Sequence, residues 1–144
     1  MNPLLRQTFF SFRLITILTL VSPIALADIA IIVHPNNHSE LDKISIARIF
    51  LGQSSMFSNG QQALPLNQNS TLAAATEFNQ KVLNKSAARL KAYWSQLIFT
   101  GQGTPPVSVD SNAEVLALVE KNPNLIGYID QTLVSDKVRV VATF

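Results

Sequence analysis

Two histidines, nine acidic side chains and no cysteine are the raw material for chemistry in this 144-residue chain. Without sulfur there is no thiol nucleophile, no Cys-ligated zinc, no iron–sulfur cluster and no lipoprotein anchor, so any function rests on oxygen and nitrogen. His34 and His38 stand four apart, the spacing that places two imidazoles on one face of a helix. Pro35, Asn36 and Asn37 between them dictate a loop instead, where that spacing selects no metal. No set of nucleophile, base and orienting partner can be assembled, and the chain reads as a non-enzyme with neither metal nor cofactor. Asn37-His38-Ser39 and Asn69-Ser70-Thr71 match the glycosylation pattern, a motif too short to carry weight alone. Gly101-Gln102-Gly103 lacks the third glycine of a dinucleotide fingerprint and follows a helical stretch, so it reads as helix termination.

What remains is a recurrence of small polar residues. The stretches His34–Ser39, Asn67–Thr71 and Asp110–Asn112 each leave an expected strand and enter an expected helix. In an open parallel sheet such loops gather along one edge, where helix starts present unpaired N–H groups and partial positive charge. Asn69, Ser70, Thr71, Ser111 and Asn112 are therefore the candidate ligand-binding residues, and a small oxyanion is the ligand class they suit. Ordinary helix capping accounts for the same residue types, and both readings stand at this point.

The elements that must position these loops follow from periodicity. Ile29-Ala30-Ile31-Ile32-Val33 is a continuous β-branched run, the pattern of a strand buried on both faces, and it is expected to be the central one. Asp42 can cap a helix whose buried face is Ile46, Ile49 and Phe50, with Leu41 stapled onto Ile46 and Gly52 ending it. Asn59-Gly60 marks a turn, and Pro65 places Ala63–Leu66 at a strand end or sheet edge. Leu72, Ala75, Phe78 and Val82 predict a helix starting at or just after Ser70.

Leu90, Tyr93, Trp94, Leu97 and Ile98 form the clearest amphipathic stripe, predicting a helix from about Ser86 to Gly101 that packs its aromatics into the core. Val107–Val109 alternates as a strand, and Ser111-Asn112-Ala113-Glu114 is a capping box ahead of Val115, Leu118 and Val119. Leu125–Ile129 and Val138–Val141 read as two closing strands. Strand and helix alternate, so the expectation is an α/β domain with a central, mostly parallel sheet flanked by helices.

Residues 1–27 stand apart from this pattern. Arg6 and Arg13 are their only charged side chains, and an apolar run containing Pro23 ends in Ala25-Leu26-Ala27, the order of a secretory signal peptide. The run is shorter than the roughly 20 residues that span a bilayer, so no membrane span is expected after cleavage. The domain division is thus 1–27 signal peptide and 28–144 folded domain. Losing Arg6 and Arg13 leaves nine basic against nine acidic residues, which removes the electrostatic case for nucleic-acid binding. Export without cysteine fits a bacterial periplasm.

A family resemblance accompanies these readings. Ile49-Phe50-Leu51-Gly52, the Phe57…Asn59-Gly60 turn, Pro65…Ser70-Thr71…Phe78, Trp94…Phe99-Thr100-Gly101 and Asn122-Pro123-Asn124-Leu125-Ile126-Gly127-Tyr128-Ile129 resemble, in order, the substrate-binding proteins of phosphate ABC transporters. The resemblance spans nearly all of residues 29–141 and matches mainly the second lobe of that type 2 periplasmic-binding superfamily. It implies a single lobe of that fold, phosphate as the favoured oxyanion, and an ABC permease or another envelope protein as partner. Where relatives carry an arginine and an acidic residue ahead of Ser-Gly-Thr, this chain has Asn67-Gln68-Asn69, so the hydroxyl pair Ser70-Thr71 and the helix start carry over. The alternative is an interaction or sensory module that keeps the fold without binding phosphate. N-terminal sequencing of the protein from an envelope fraction is expected to begin at Asp28; an intact Met1 in a washed membrane pellet would mean an anchor.

Overall fold

A computed structural model describes residues 27–144; the expected signal peptide lies outside the described residues except for Ala27. The chain order is β1 (Ile29–Val33), α1 (Lys43–Phe50), β2 (Leu64–Gln68), α2 (Ala73–Lys81), α3 (Ala87–Phe99), β3 (Val107–Val109), α4 (Asn112–Lys121), β4 (Leu125–Asp130), a 3-10 turn (Gln131–Leu133) and β5 (Arg139–Thr143). The five strands form one sheet in the order β3-β2-β4-β1-β5. The α/β expectation is met, with helices on both faces.

Strand direction is where the structure departs from the simplest α/β reading. β2 runs parallel to β3 and to β4, while β1 is antiparallel to both β4 and β5. Four strands therefore point one way and β1 points against them all. β1 is also not central: it lies between β4 and the edge strand β5, and β4 holds the middle. All five of its residues are nonetheless fully buried, as its apolar run requires.

The core divides across the sheet by the two-residue period of the strands. Ile29, Ile31 and Val33 of β1, with Ile126 and Tyr128 of β4, meet Ile46, Ile49 and Phe50 of α1 and Ala75 and Phe78 of α2. Ala30, Ile32, Leu66 and Ile129 face the other way and meet Val115 and Val119 of α4. Gly127 lies beneath α4, where an added Cβ would run into the Val115 side chain. That close approach, not backbone freedom, is why glycine stands there in the middle of a strand.

Local signals set the ends of these elements. Asp42 accepts from the Ser45 N–H at 2.8 Å and starts α1. Gly52, at φ +69°, ends it in a conformation that favours glycine, and it lies against the Trp94 indole. Pro65 sits one residue inside β2, opposite Ile126 and before β3 begins pairing at Leu66, so the missing N–H breaks no ladder to β3. Asn84, at φ 51°, turns α2 into α3. Lys81 closes the fold: its ammonium lies near the Asp28 and Glu77 carboxylates at 3.6 and 3.5 Å and donates to the Phe144 carbonyl at 3.3 Å.

The aromatic stripe of α3 corrects a sequence expectation. The helix spans the predicted residues and Ser86 caps it, accepting from the Arg89 N–H at 3.2 Å. Yet only Leu90 is buried; Tyr93, Trp94 and Leu97 are half-buried, and Ile98 and Phe99 are 57% and 92% exposed. The helix borders the α1 and α2 layer and does not cover the sheet. Tyr93 anchors it by donating to the Leu51 carbonyl at 2.7 Å. Periodicity shows that one face of a helix differs from the other, not what that face meets. Phe78→Ala should therefore cost about 3–5 kcal/mol in urea unfolding. Trp94→Ala should cost about 1–2 kcal/mol, and equal losses for the two would return Trp94 to the core.

Candidate functional site

Because β1 runs backwards, the three polar loops do not share an edge. The His34–Ser39 loop leaves β1 at the end of the sheet where β4 begins, and Asn37 donates to the Pro123 carbonyl there at 3.4 Å. Asn37 is fully buried and its Oδ1 accepts from the Ser39 N–H at 3.0 Å, so this asparagine is a strut of the loop and no acceptor for glycan. Arg139 clamps the same loop by donating to the Asn37 and Ser39 carbonyls, both at 3.0 Å. His34 takes the Asn36 N–H on Nδ1 at 3.1 Å and His38 is exposed; no cluster of three metal-ligating side chains occurs among the described residues.

The other two loops do converge. Asn67–Thr71 leaves β2 and Asp110–Asn112 leaves β3 at the same end of the sheet, joined by the Asn69 N–H donating to the Val109 carbonyl at 2.9 Å. The Asn69 amide donates to the Asp110 carboxylate at 3.3 Å. Its oxygen accepts from the Thr71 N–H and hydroxyl at 3.1 and 3.0 Å. Asn69 thus folds the turn on which Ser70 and Thr71 stand exposed.

The two helix starts differ in what they offer. α2 begins at Ala73, later than expected, because the Leu72 N–H bonds back to the Asn69 carbonyl and makes a turn of the intervening residues. Leu72 supplies no side-chain cap. The N–H groups of Ala73 and Ala74 consequently have no acceptor among the described residues. At α4 the expected capping box forms with one shift. Ser111 accepts from the Glu114 N–H at 3.0 Å, while the Glu114 carboxylate takes the Asp110 N–H at 3.1 Å. Asn112 turns inward, its Oδ1 accepting from the Gln68 amide at 2.9 Å and the Asp130 N–H at 3.2 Å. With Asp110 and Glu114 beside it, the α4 start is already supplied with negative charge.

A buried polar node joins this edge to the core. The Tyr128 hydroxyl accepts from the Gln68 N–H at 3.0 Å and donates to Asn67 Oδ1. The Gln68 side chain in turn donates to the Tyr128 carbonyl at 2.7 Å. The Tyr128 ring is stacked on Phe78 at 4.0 Å between centroids, with Phe50 tilted against both. Burial pushes the Tyr128 phenol above its ordinary value.

Beside the node lies a cavity of about 390 Å³ between the end of β2, α2 and α3, with Phe50, Phe78 and Trp94 among its walls. Asn67, Gln68, Ser70, Asn79 and Lys91 are its polar lining. Lys91 and Asn79 escape a reading by loops, because both sit on helices. Lys91 has no carboxylate within 4.0 Å among the described residues. Its position beside Leu90 signals the rim of a buried stripe, but not which edge of the sheet that rim approaches.

No family model and no curated protein matches this sequence. Solved structures do. An ABC-type phosphate transport receptor from Vibrio cholerae is similar at 19% identity with a TM-score of 0.63, over 81% of this chain and 47% of that one. A putative phosphate ABC transporter substrate-binding protein with bound phosphate from Clostridium perfringens gives 22% and 0.59, over 81% of this chain and 45% of that one. PstS from Borrelia burgdorferi gives 19% and 0.55, over 73% and 42%. The chain thus spans less than half the length of these proteins. Its described residues have the α/β fold of one lobe of a phosphate-binding-protein-like structure, the fold that the resemblance implied.

Tyr128→Phe should cost about 0.5–1.5 kcal/mol by removing the hydroxyl that joins the Gln68 N–H to the Asn67 oxygen, two groups that keep their direct bond to each other at 2.9 Å. The raised phenol pKa also carries a sign. Its stabilising contribution is complete below the unfolded value near 10 and is lost as pH rises above it, at up to about 1.4 kcal/mol per pH unit. Urea unfolding between pH 8 and 11 should show a steeper loss for the wild type than for Tyr128→Phe, and parallel losses would place the phenol in water.

Proposed function

We propose that this protein is an exported solute-binding protein, not an enzyme, that holds a small oxyanion, phosphate foremost, at the start of α2. The observation that carries the reading is the uncapped start of that helix beside two exposed hydroxyls. The N–H groups of Ala73 and Ala74 offer donors and the positive end of the dipole, Ser70 adds a free hydroxyl, and the Thr71 hydroxyl adds a second only by turning away from Asn69. Asn69 fixes the turn, while Ser111 and Asn112 serve from behind by holding the α4 start and the end of β2 in place. Lys91, which lines the same cavity as Ser70, supplies the positive charge that the loops themselves lack. The phosphate named for the neighbour from Clostridium perfringens supports this choice of anion.

Export of the 28–144 domain past residues 1–27 would place it in the periplasm, with an ABC permease or another envelope protein as partner. No helix among the described residues is long and apolar enough to cross a membrane. A module that keeps the fold for protein contact is favoured by one observation, the exposure of Ile98, Phe99 and Val107. Titration calorimetry separates the two readings, since a module without a ligand gives no heat with phosphate, sulfate or related oxyanions.

One exposed helix end contributes about 0.3–1 kcal/mol, and a hydroxyl bonded to a charged acceptor about 1.5–3 kcal/mol. The free Ser70 hydroxyl and one helix end sum to roughly 2–4 kcal/mol, and Thr71 adds only what it gains over its bond to Asn69, so the dissociation constant is expected near millimolar. Replacing Ser70 and Thr71 together by Ala should weaken phosphate binding by about 10- to 100-fold with an unchanged melting curve. Equal binding by the double variant would move the site elsewhere.

A further inference from the structure

The cavity behind Ser70 is larger than a tetrahedral oxyanion requires and is built of the wrong material for one. Its volume of about 390 Å³ falls within the range of roughly 300–1,000 Å³ typical of organic-ligand sites. Phe50, Phe78, Leu83, Leu90 and Trp94 make most of its wall apolar, which offers nothing to an inorganic anion and much to carbon. Among them stands Asn79, 7% exposed, whose Oδ1 has no hydrogen-bond partner among the described residues.

An amide oxygen buried in that state destabilises the fold relative to one that is satisfied. Asn79 lies on the buried side of α2, where Ala75, Phe78 and Val82 are apolar, and no side chain among the described residues holds its amide. Its amide nitrogen donates to no group among the described residues, so the amide offers a hydroxyl a donor directly and an acceptor once it turns about its last torsion. The cavity therefore joins four features: an anion-binding rim at Ser70, a cation at Lys91, an aromatic wall, and a free amide deeper in.

We propose that this cavity receives the organic part of the ligand, so that the physiological solute is a phosphate monoester of a small polyol. The phosphate lies at Ser70, Thr71 and the α2 start, the carbon chain lies against Trp94 and Phe78, and a hydroxyl bonds Asn79. The inference rests on the oxyanion reading above for the position of the phosphate, but the role of Asn79 does not depend on it.

Calorimetry on the purified protein tests this with four probes: inorganic phosphate, glycerol 3-phosphate, propyl phosphate and glycerol. Glycerol 3-phosphate should bind at least tenfold tighter than inorganic phosphate, with propyl phosphate between them. Asn79→Leu should reduce glycerol 3-phosphate to the level of propyl phosphate while leaving inorganic phosphate unchanged, and its melting temperature should not fall. If inorganic phosphate binds as well as glycerol 3-phosphate, the cavity plays no part and the oxyanion reading stands alone. If glycerol 3-phosphate binds with dependence on Asn79 but not on Ser70 and Thr71, the cavity is a site and the assigned phosphate position is wrong. Absence of heat with all four probes overturns both readings.

Discussion

The arrangement of this molecule depends on β1 running against every other strand in its sheet. Five apolar residues, all fully buried, are held by ladders to β4 on one side and β5 on the other. A strand so enclosed has no freedom to slip, since a shift of one residue would exchange its two buried faces and unseat both halves of the core. Its reversed direction sends the His34–Ser39 loop to one end of the sheet and leaves the loops after β2 and β3 together at the other. It also brings Ile29 beside Phe144, where the two residues exchange backbone hydrogen bonds at 2.9 and 3.0 Å. The described chain therefore enters and leaves at one place, and Lys81 sits over the junction.

Once β1 has sorted the loops, Tyr128 ties the candidate edge to the core. Its ring is part of the α1 and α2 layer, and its hydroxyl meets the backbone of Gln68 and the amide of Asn67 where β2 ends. Gln68 extends the same network to Asn112 at the start of α4. The consequence is that both helix starts are referenced to one buried ring, so the turn carrying Ser70 and Thr71 stands on a rigid base. Hydroxyls at the end of a loop would otherwise lose to disorder much of what they contribute to an anion.

Much of this was legible in the sequence, and what was not has a common cause. Short-range chemistry was readable: the Asp42 and Ser111 caps, the Gly52 stop, and the strand end at Pro65 all depend on neighbours within four residues. Apolar runs located β1 and β4 for the same reason. Direction was not readable, because alternation along a strand is unchanged when the strand is reversed. Nor was the environment of α3, whose stripe of Leu90, Tyr93 and Trp94 is amphipathic whether it meets a sheet or borders a cavity. The Tyr128 hydroxyl bond to Asn67 joins residues 61 positions apart, and no local pattern encodes it. Lys91 and Asn79 carry no such signal, because both stand on the helices that wall the cavity and spacing along a helix does not tell which cavity its face meets.

The two helix starts differ in how the charge of the dipole is met. At α4 the dipole is answered within the protein, by Ser111 on the Glu114 N–H and by the Glu114 carboxylate on Asp110. At α2 it is not answered, and the turn that delays the helix to Ala73 keeps Leu72, which has no polar side chain, in the capping position. A helix end left open costs the protein its unpaired N–H groups, which water satisfies at an exposed edge. A ligand that displaces that water gains only the difference, and an anion is the ligand for which the difference is largest, because charge-assisted bonds are roughly twice as strong as neutral ones. Selection among anions then falls to what stands next to the open end. Here that is an aromatic cavity with a lysine at its lining and a buried amide inside it, so that apolar contact and hydrogen bonding add to charge in the choice of anion.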